Sequence, residues 1–476
     1  MIKYDKKSEL RVTELKVSEW DVVSTRKTIS YSFGFFIPYY LGVFFSTFVF
    51  YYYEVVIGLP VVLIGLAFIC YAIWNMFNDP LIGYLTDRPM KWTKKWGMRT
   101  PWIIIGLFPS IICYFFIFTP PEVDARVNPL PIFLYLVIVA CIYDTFVSLY
   151  LTHLNAGFPA QFRTDYERRK ASVPQNIIPN TGTFLLSLIP PFLLIYGDRD
   201  SMITIVAIVL TFLFFCALFL IPGIRESEEV KERYLKGHDD QERESFWRMM
   251  KIAFQHKNYV IALITYGFYL AAYGLWLTSS IYFIKDILRL PFRVSVYLQL
   301  AIFLGFTGFI PFWANVAKRL GHVKTYTLGC LLVSVTLIPT LWITTLWEAV
   351  IYNFIGAFGF GCFYIMLYPI ASDTYDEITA DIGKHQEATL SGIRTFFFRT
   401  SLITIGLIIA AVHIITGYNP DPDAVQTPLA IWGIRIHMGL IPSLMMLVAF
   451  ILMYKYYDLK DEKKKGMITK LRELGL

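Results

Sequence analysis

Twelve runs of about twenty mainly apolar residues limit what this chain can become. They fall near residues 29–53, 58–86, 101–119, 131–156, 173–195 and 202–222. A second set lies near 258–284, 294–316, 325–345, 348–371, 388–416 and 433–456. Each run is long enough to cross the hydrocarbon of a bilayer as a helix. Lipid cannot satisfy backbone polar groups, and a barrel would show strict alternation, so the expectation is helical throughout. The predicted fold class is all-α: a polytopic membrane protein with twelve transmembrane helices in two six-helix bundles.

Charge supports this reading. Only 17% of residues are charged and 56% are hydrophobic, against about 25% charged in an average soluble domain. The net charge of +7 comes from Lys and Arg clustered between the apolar runs, as in PMKWTKKWGMR, FRTDYERRK and AKRLGHVK. That pattern is one of membrane topology, and no nucleic-acid motif accompanies it, so no nucleic-acid partner is expected. The basic segments share one side with both ends of the chain, which predicts cytoplasmic termini in a multi-pass protein of the cell membrane. The polar start, MIKYDKKSELRVTELKVSEW, has no cleavable signal, leaving the first span as the insertion signal. Cys70, Cys113, Cys141, Cys216, Cys330 and Cys362 all sit inside apolar runs without CxxC spacing, and read as small core residues.

One long charged stretch, 223–257, divides the spans six and six. The expected organisation is a bundle over 1–222, a linker over 223–257, and a second bundle with its tail over 258–476. Within the linker, FWRMMKIAF alternates apolar and basic positions at helical spacing, which suits an interfacial helix or a loosely ordered segment. The halves also repeat: PLIGYLTDR (80–88) follows the second span and PFWANVAKR (311–319) the eighth. Parallel repeats of this kind put a solute site at the midplane between halves. The repeat marks Asp87, Arg88 and Arg319 as gating or structural residues.

GYLTDR resembles the signature loop of the major facilitator superfamily. Taken in order, YSFGFF (31–36), YYYEVVIGLP (51–60), IWNMFNDPLIGYLTDR (73–88) and WGMRTPWIIIG (96–106) resemble a narrower group, the glycoside–pentoside–hexuronide:cation symporters, or melibiose permease family. ASDTYDE (371–377), GIRTFFFR (392–399) and GYNPDPDAVQTPLAIWGIR (417–435) continue the match across almost the whole chain. The resemblance implies a major facilitator fold, no cofactor, alternating access, and symport of a small solute with Na⁺ or H⁺ as coupling ion. Its partners are then the solute, of glycoside, pentoside or hexuronide class, and the bilayer; a monomer is expected.

The family's cation site resembles two acids four apart on the second helix, one turn and one face. Here these positions are Asn75 and Asp79, an amide and a carboxylate. An Asp in mid-membrane costs about 2.5–3.5 kcal/mol, so Asp79 is either a cation ligand assisted by the Asn75 carbonyl or a hydrogen-bond anchor between helices. The fourth helix supplies a Thr and, three residues on, a sugar-binding Asp in the family. One register puts Ser148 and Leu151 there, the other Leu149 and Thr152, and neither has the acid. Asp144, about two turns earlier, either substitutes for it or pairs with a base.

The family's sugar-binding Asp on the first helix aligns with Tyr39, so the two-carboxylate grip on a galactoside is absent. The buried Lys of the eleventh helix aligns with Arg399, with Arg394 a little over a turn before. Arg399 is expected to neutralise Asp79 or Asp144, or to clamp an anionic substrate. Tyr364 and Tyr368 on the tenth helix, and Tyr266, Tyr269, Tyr273 and Trp276 on the seventh, offer aromatic faces either to a sugar or to neighbouring helices. His153, His413 and His437 lack metal-ligand spacing and read as hydrogen-bonded residues between helices.

No Walker A motif occurs, so ATP is not the expected energy source. An amphiphile such as a lysophospholipid is the alternative solute on the same fold. A polytopic enzyme would need a nucleophile or metal constellation that the sequence does not display, and a transport-dead sensor would need a signalling domain.

Overall fold

The computed structural model describes residues 23–86, 90–162, 165–228, 231, 246–383 and 387–474; Asp87 and Arg88 lie outside these. Every apolar run is helical. The six spans of the first half are α1 (Thr25–Val56), α2 (Val61–Thr86), α3 (Thr100–Ile117), α4 (Pro129–Gln161), α5 (Asp165–Ser187) and α6 (Arg199–Ile224). The second half holds α7 (Lys257–Leu288), α8 (Phe292–Leu320), α9 (His322–Leu341), α10 (Leu346–Ile382), α11 (Thr389–Thr416) and α12 (Pro428–Tyr456). Local chemistry sets the ends. Ser24 and Asp198 cap α1 and α6 through their side-chain oxygens, and Thr345 with Glu348 forms a capping box on α10. Left-handed Gly383 and Gly417 stop α10 and α11.

Eleven of these helices are apolar enough to cross a membrane on composition alone. The exception is α5, which carries DYERRK in its first turns and Asn176 and Asn180 at its centre. It also starts and stops earlier than the apolar run 173–195 predicts. Polar residues continue the helix back to Asp165, while Pro190 and Pro191 open a separate short helix, Pro190–Leu193.

The repeat in the sequence is a repeat in packing. α1 packs on α5 and α6, α2 on α4, and α3 on α4; in the second half α7 packs on α11 and α12, α8 on α10, and α9 on α10. Small residues permit the closest of these approaches. A Cβ on Gly106 of α3 would stand 2.6 Å from the backbone nitrogen of Tyr150 on α4, and one on Gly305 of α8 would stand 2.4 Å from the carbonyl of Phe354 on α10.

Lys27 donates to the Arg225 carbonyl at 2.8 Å and Asn258 to Asp458 at 2.8 Å. The starts of α1 and α7 and the ends of α6 and α12 therefore share one face, termed the terminal face; the opposite face is distal. On the terminal face the segment FWRMMKIA is a short helix (Phe246–Ala253) that buries Met249 and exposes Trp247. A last helix, Asp461–Leu474, is tied to the end of α10 by Lys464–Asp373 at 2.5 Å and Lys470–Asp381 at 2.8 Å.

The halves meet mainly through α1 with α7 and α2 with α11. Toward the distal face this seam is shut by Thr278 donating to the Ser46 carbonyl at 2.5 Å, Phe48 edge-on to Phe292, and Tyr51 edge-on to Tyr282. The six cysteines are all free, three buried and three half-buried.

Candidate functional site

Two features occupy the seam between the halves. The first is a carboxylate cluster built by α2, α4 and α11. Residues 71, 75, 78 and 79 share a face of α2 because they recur at helical spacing; the first three meet Asp144 of α4, and Ser148 follows Asp144 by one turn. Asp144 is only 2% exposed. It accepts hydrogen bonds from the Asn75 amide, from Asn78 Nδ2 at 3.1 Å and from Tyr71 Oη at 3.4 Å. Asp79, one turn along, meets Arg399 Nη2 across the seam at 3.0 Å. Arg399 sits at the break in α11, between helical segments ending at Phe398 and starting at Thr400.

The cluster is not saturated. Asn75 Oδ1, Asp79 Oδ1, Ser148 Oγ and Arg399 Nε are buried atoms without a protein partner. Three of them are oxygens, the donor type a hard cation takes. Asn75 therefore divides its amide: the nitrogen serves Asp144 and the carbonyl oxygen is left over.

The second feature is a cavity toward the distal side, with about 150 Å³ of room for water-sized molecules. Among the described residues its wall carries no charged side chain. Tyr39, Phe44 and Phe48 of α1 face Tyr273 and Trp276 of α7 and Phe303 of α8. Asn180, Thr183 and Ser187 of α5 and Ser295, Gln299 and Asn353 of α8 and α10 supply neutral polar groups. Ser187 donates to Gln299 at 3.0 Å, whereas the Thr183 and Ser295 hydroxyls have no protein partner. Phe184 stacks on Phe303 at 4.3 Å, joining α5 to α8.

Several expected site residues stand elsewhere. Tyr364 does not line the cavity; it donates to Asn176 Oδ1 at 2.5 Å and accepts from Asn180 at 3.1 Å, bridging α10 to α5. Tyr368 is 72% exposed and lies over Arg394, whose guanidinium is 5.8 Å from its ring centre. Thr152 is half-buried on α4 and, like Asp144, does not line the cavity. Arg319 is exposed at the terminal end of α8, and Asp87 and Arg88 lie outside the described residues.

Nearby on that face, Glu226 accepts from the backbone nitrogens of Met98, Arg99 and Thr100 at 2.9, 2.6 and 3.0 Å, capping α3 from beyond the end of α6. His153 bonds Thr86 at 2.7 Å and Arg99 at 3.2 Å, so it ties together the ends of α2 and α3. His413 touches both His437 and Glu54 near the distal face.

Sequence reasoning missed Asn78, Tyr71 and Glu54. Asn78 stands inside the NDP motif, but its partner Asp144 is 66 positions away, and no local pattern reports that pairing. Among the described residues no group of three or more His, Cys, Asp or Glu side chains is placed to hold a metal ion.

A family profile described as MFS/sugar transport protein matches residues 30–461. An uncharacterized symporter of Bacillus subtilis, YnaJ, is 22% identical over 90% of this chain and 90% of its own length. The sodium-dependent lysophosphatidylcholine symporter 1 of Mus musculus is 23% identical over 54% of this chain and 52% of its own. Among solved structures, the nucleoside transporter NupG superposes with a TM-score of 0.64 at 16% identity, covering 91% of this chain and all of that one.

Proposed function

This chain belongs to the MFS/sugar transport protein family, and from that premise we propose that it is a cation-coupled symporter of a sugar or sugar-like solute, working by alternating access, with its terminal face in the cytoplasm. The observation that carries the proposal is the uncharged cavity in the seam. Aromatic rings suit the C–H faces of a sugar ring, and unpartnered hydroxyls such as Thr183 and Ser295 suit its hydroxyl groups. No chemical step on the solute is involved.

The coupling ion, Na⁺ or H⁺, binds at Asp79 with Asn75 Oδ1 and Ser148 Oγ as further oxygens. Arg399 holds Asp79 while the ion is away. Exchanging one positive partner for another across the seam links ion occupancy to the relative position of α2 and α11. Residues ~1–222 rock against ~258–476 around the cavity. A galactoside gripped by two carboxylates does not fit, because Tyr39 and the other α1 residues at the cavity carry no carboxylate.

A second reading is favoured by the phenylalanines of the same wall, which offer no hydrogen bond, and by the lysophosphatidylcholine symporters among the relatives. In it the solute is an amphiphile whose tail lies on Phe44, Phe184 and Phe303. The test is uptake into proteoliposomes under an imposed Na⁺ or pH gradient, with sugars, uronides and lysolipids as solutes. Concentrative uptake of a sugar or uronide that Asp79→Asn abolishes, with solute exchange retained, supports the first reading. Uptake of lysolipid alone supports the second, and gradient-driven uptake by the Asp79→Asn protein refutes the coupling site.

A further inference from the structure

The seam holds another buried polar group that the transport reading above does not use, at the distal end of α1 and away from Asp79 of α2. Where α1 ends, Glu54 sits in a π-helical turn, Tyr52–Val56, with its side chain 3% exposed. Its carboxylate accepts from Tyr282 Oη of α7 at 2.5 Å and meets His413 Nδ1 of α11 at 2.7 Å. His413 Nε2 faces His437 Nε2 of α12 at 3.3 Å, and His437 Nδ1 meets Ser279 Oγ of α7 at 2.7 Å. Glu54 is thus the first half's contribution to a chain whose other members all belong to the second half. π-Helical turns recur at functional positions, and here Glu54 and His437 each stand in one.

The neighbouring charges are accounted for. Lys285 pairs with Asp286 at 2.9 Å, and Tyr418, which stacks on His413, donates to Asp286 at 3.0 Å. Lys285 is therefore engaged by its own neighbour instead of by Glu54. Arg126 stands exposed at the rim of a distal cleft of about 460 Å³ whose wall also includes Glu54 and His413. The Tyr51 ring packs on Tyr282.

We propose that this chain of Glu54, His413, His437 and Ser279 is a proton-binding site that closes the distal seam when occupied. The hydrogen-bond pattern fixes its capacity. With both rings neutral, His413 Nδ1–H donates to Glu54, His437 Nε2–H donates to His413 Nε2, and Ser279 donates to His437 Nδ1. Every ring nitrogen is satisfied, and the group carries the single negative charge of Glu54. One added proton makes His413 an imidazolium: its Nε2–H donates to His437 Nε2, and the His437 proton moves to Nδ1, facing the Ser279 oxygen. The ring contacts survive and the net charge falls to zero. A second proton would set two N–H groups against each other at 3.3 Å. The site takes one.

The sign of the coupling follows from desolvation. In the closed seam the Glu54 carboxylate is buried and must be neutralised; once the halves part distally, water serves instead. The closed state therefore binds the proton more tightly, and by linkage acid favours closure and alkali favours opening. Uptake of one proton changes the closed-to-open ratio by up to about tenfold per pH unit. The cleft gives this proton access from the distal side, separately from the ion proposed at Asp79.

The test uses the full chain in lipid nanodiscs, with native cysteines replaced and spin labels at Val123 and Val425, exposed distal loop positions in the two halves. Distance distributions are recorded from about pH 5 to about pH 9, the range that brackets histidine titration. The parent protein is expected to gain a longer distance as pH rises. Glu54→Gln removes the charge that must be neutralised and is expected to stay closed across the range, and His413→Gln is expected to lose the response. Should His413→Gln fail to fold, His437→Gln and Glu54→Gln decide. A parent distribution that ignores pH, or histidine and glutamate variants that follow the parent, overturns the proposal. The same measurement in Asp79→Asn separates the two sites. A retained response places the proton at the distal chain even if coupled uptake is lost, and a vanished response overturns the proposal.

Discussion

In the proposed mechanism Arg399 and the coupling cation compete for the same carboxylate, and that rivalry has a measurable size. The guanidinium lies 3.0 Å from Asp79 Oδ2, and the two side chains are 29% and 25% exposed. A cation seated on the free Asp79 Oδ1 would sit roughly 5 Å from the guanidinium charge. At an effective dielectric constant of about 20 the repulsion is then about 3 kcal/mol. Partial exposure screens this pair, and halving the figure leaves about 1.5 kcal/mol. Replacing Arg399 by Gln keeps a hydrogen-bond donor while removing the charge, so we predict that Arg399→Gln binds Na⁺ about tenfold more tightly. Calorimetric titration of purified protein with NaCl, at constant ionic strength in choline chloride, reads this directly. The same variant is expected to transport poorly, because the bound ion no longer has a competitor to expel it. Unchanged or weaker Na⁺ affinity in Arg399→Gln would refute the competition and leave the ion pair as a static strut.

Three further outcomes are expected. Asp144→Leu strands the donors of Asn75, Asn78 and Tyr71 and is predicted to lower the thermal midpoint in detergent more than Asp144→Asn, which keeps an acceptor; equal midpoints would contradict the anchoring role. Gly106→Ala forces a Cβ against the α4 backbone and is predicted to destabilise by about 1–3 kcal/mol, read as a lowered midpoint against Gly83→Ala, where a Cβ meets nothing. Cysteines at Ser187 and Gln299, whose side chains meet across the seam, are predicted to cross-link and stop turnover until reduced; full activity in the cross-linked protein would rule out rocking of the halves.

The helices were legible because lipid leaves an apolar run only one way to satisfy its backbone. α5 was the least legible: its Asn176 and Asn180 break the apolar pattern because they face α10 and the seam instead of lipid. For the cluster, one turn of α2 supplies Asn75, Asn78 and Asp79, and that periodicity is readable. What those side chains touch is not, since Arg399 is 320 positions from Asp79 and the contact depends on how two bundles meet. Glu54 passed unnoticed for the same reason: its partner His413 is 359 positions away, and neither residue stands in a local motif that predicts the other. Spacing assigns Tyr368 the side of α10 that bears Tyr364, but not its depth relative to the cavity, and it stands exposed over Arg394.

The polar character of α5 has a consequence for how the chain is made. Pro174, Pro179, Asn176 and Asn180, together with a charged first turn, make this segment a poor candidate for leaving the translocon alone. Asn176 and Asn180 donate back to carbonyls one turn earlier, which covers part of the deficit, but their contacts with Tyr364 wait for a helix synthesised almost two hundred residues later. The flank that α5 lays on α1 is available from the start. Membrane integration of α5 therefore leans on α1 first and is completed by the contacts with Tyr364 once α10 is made.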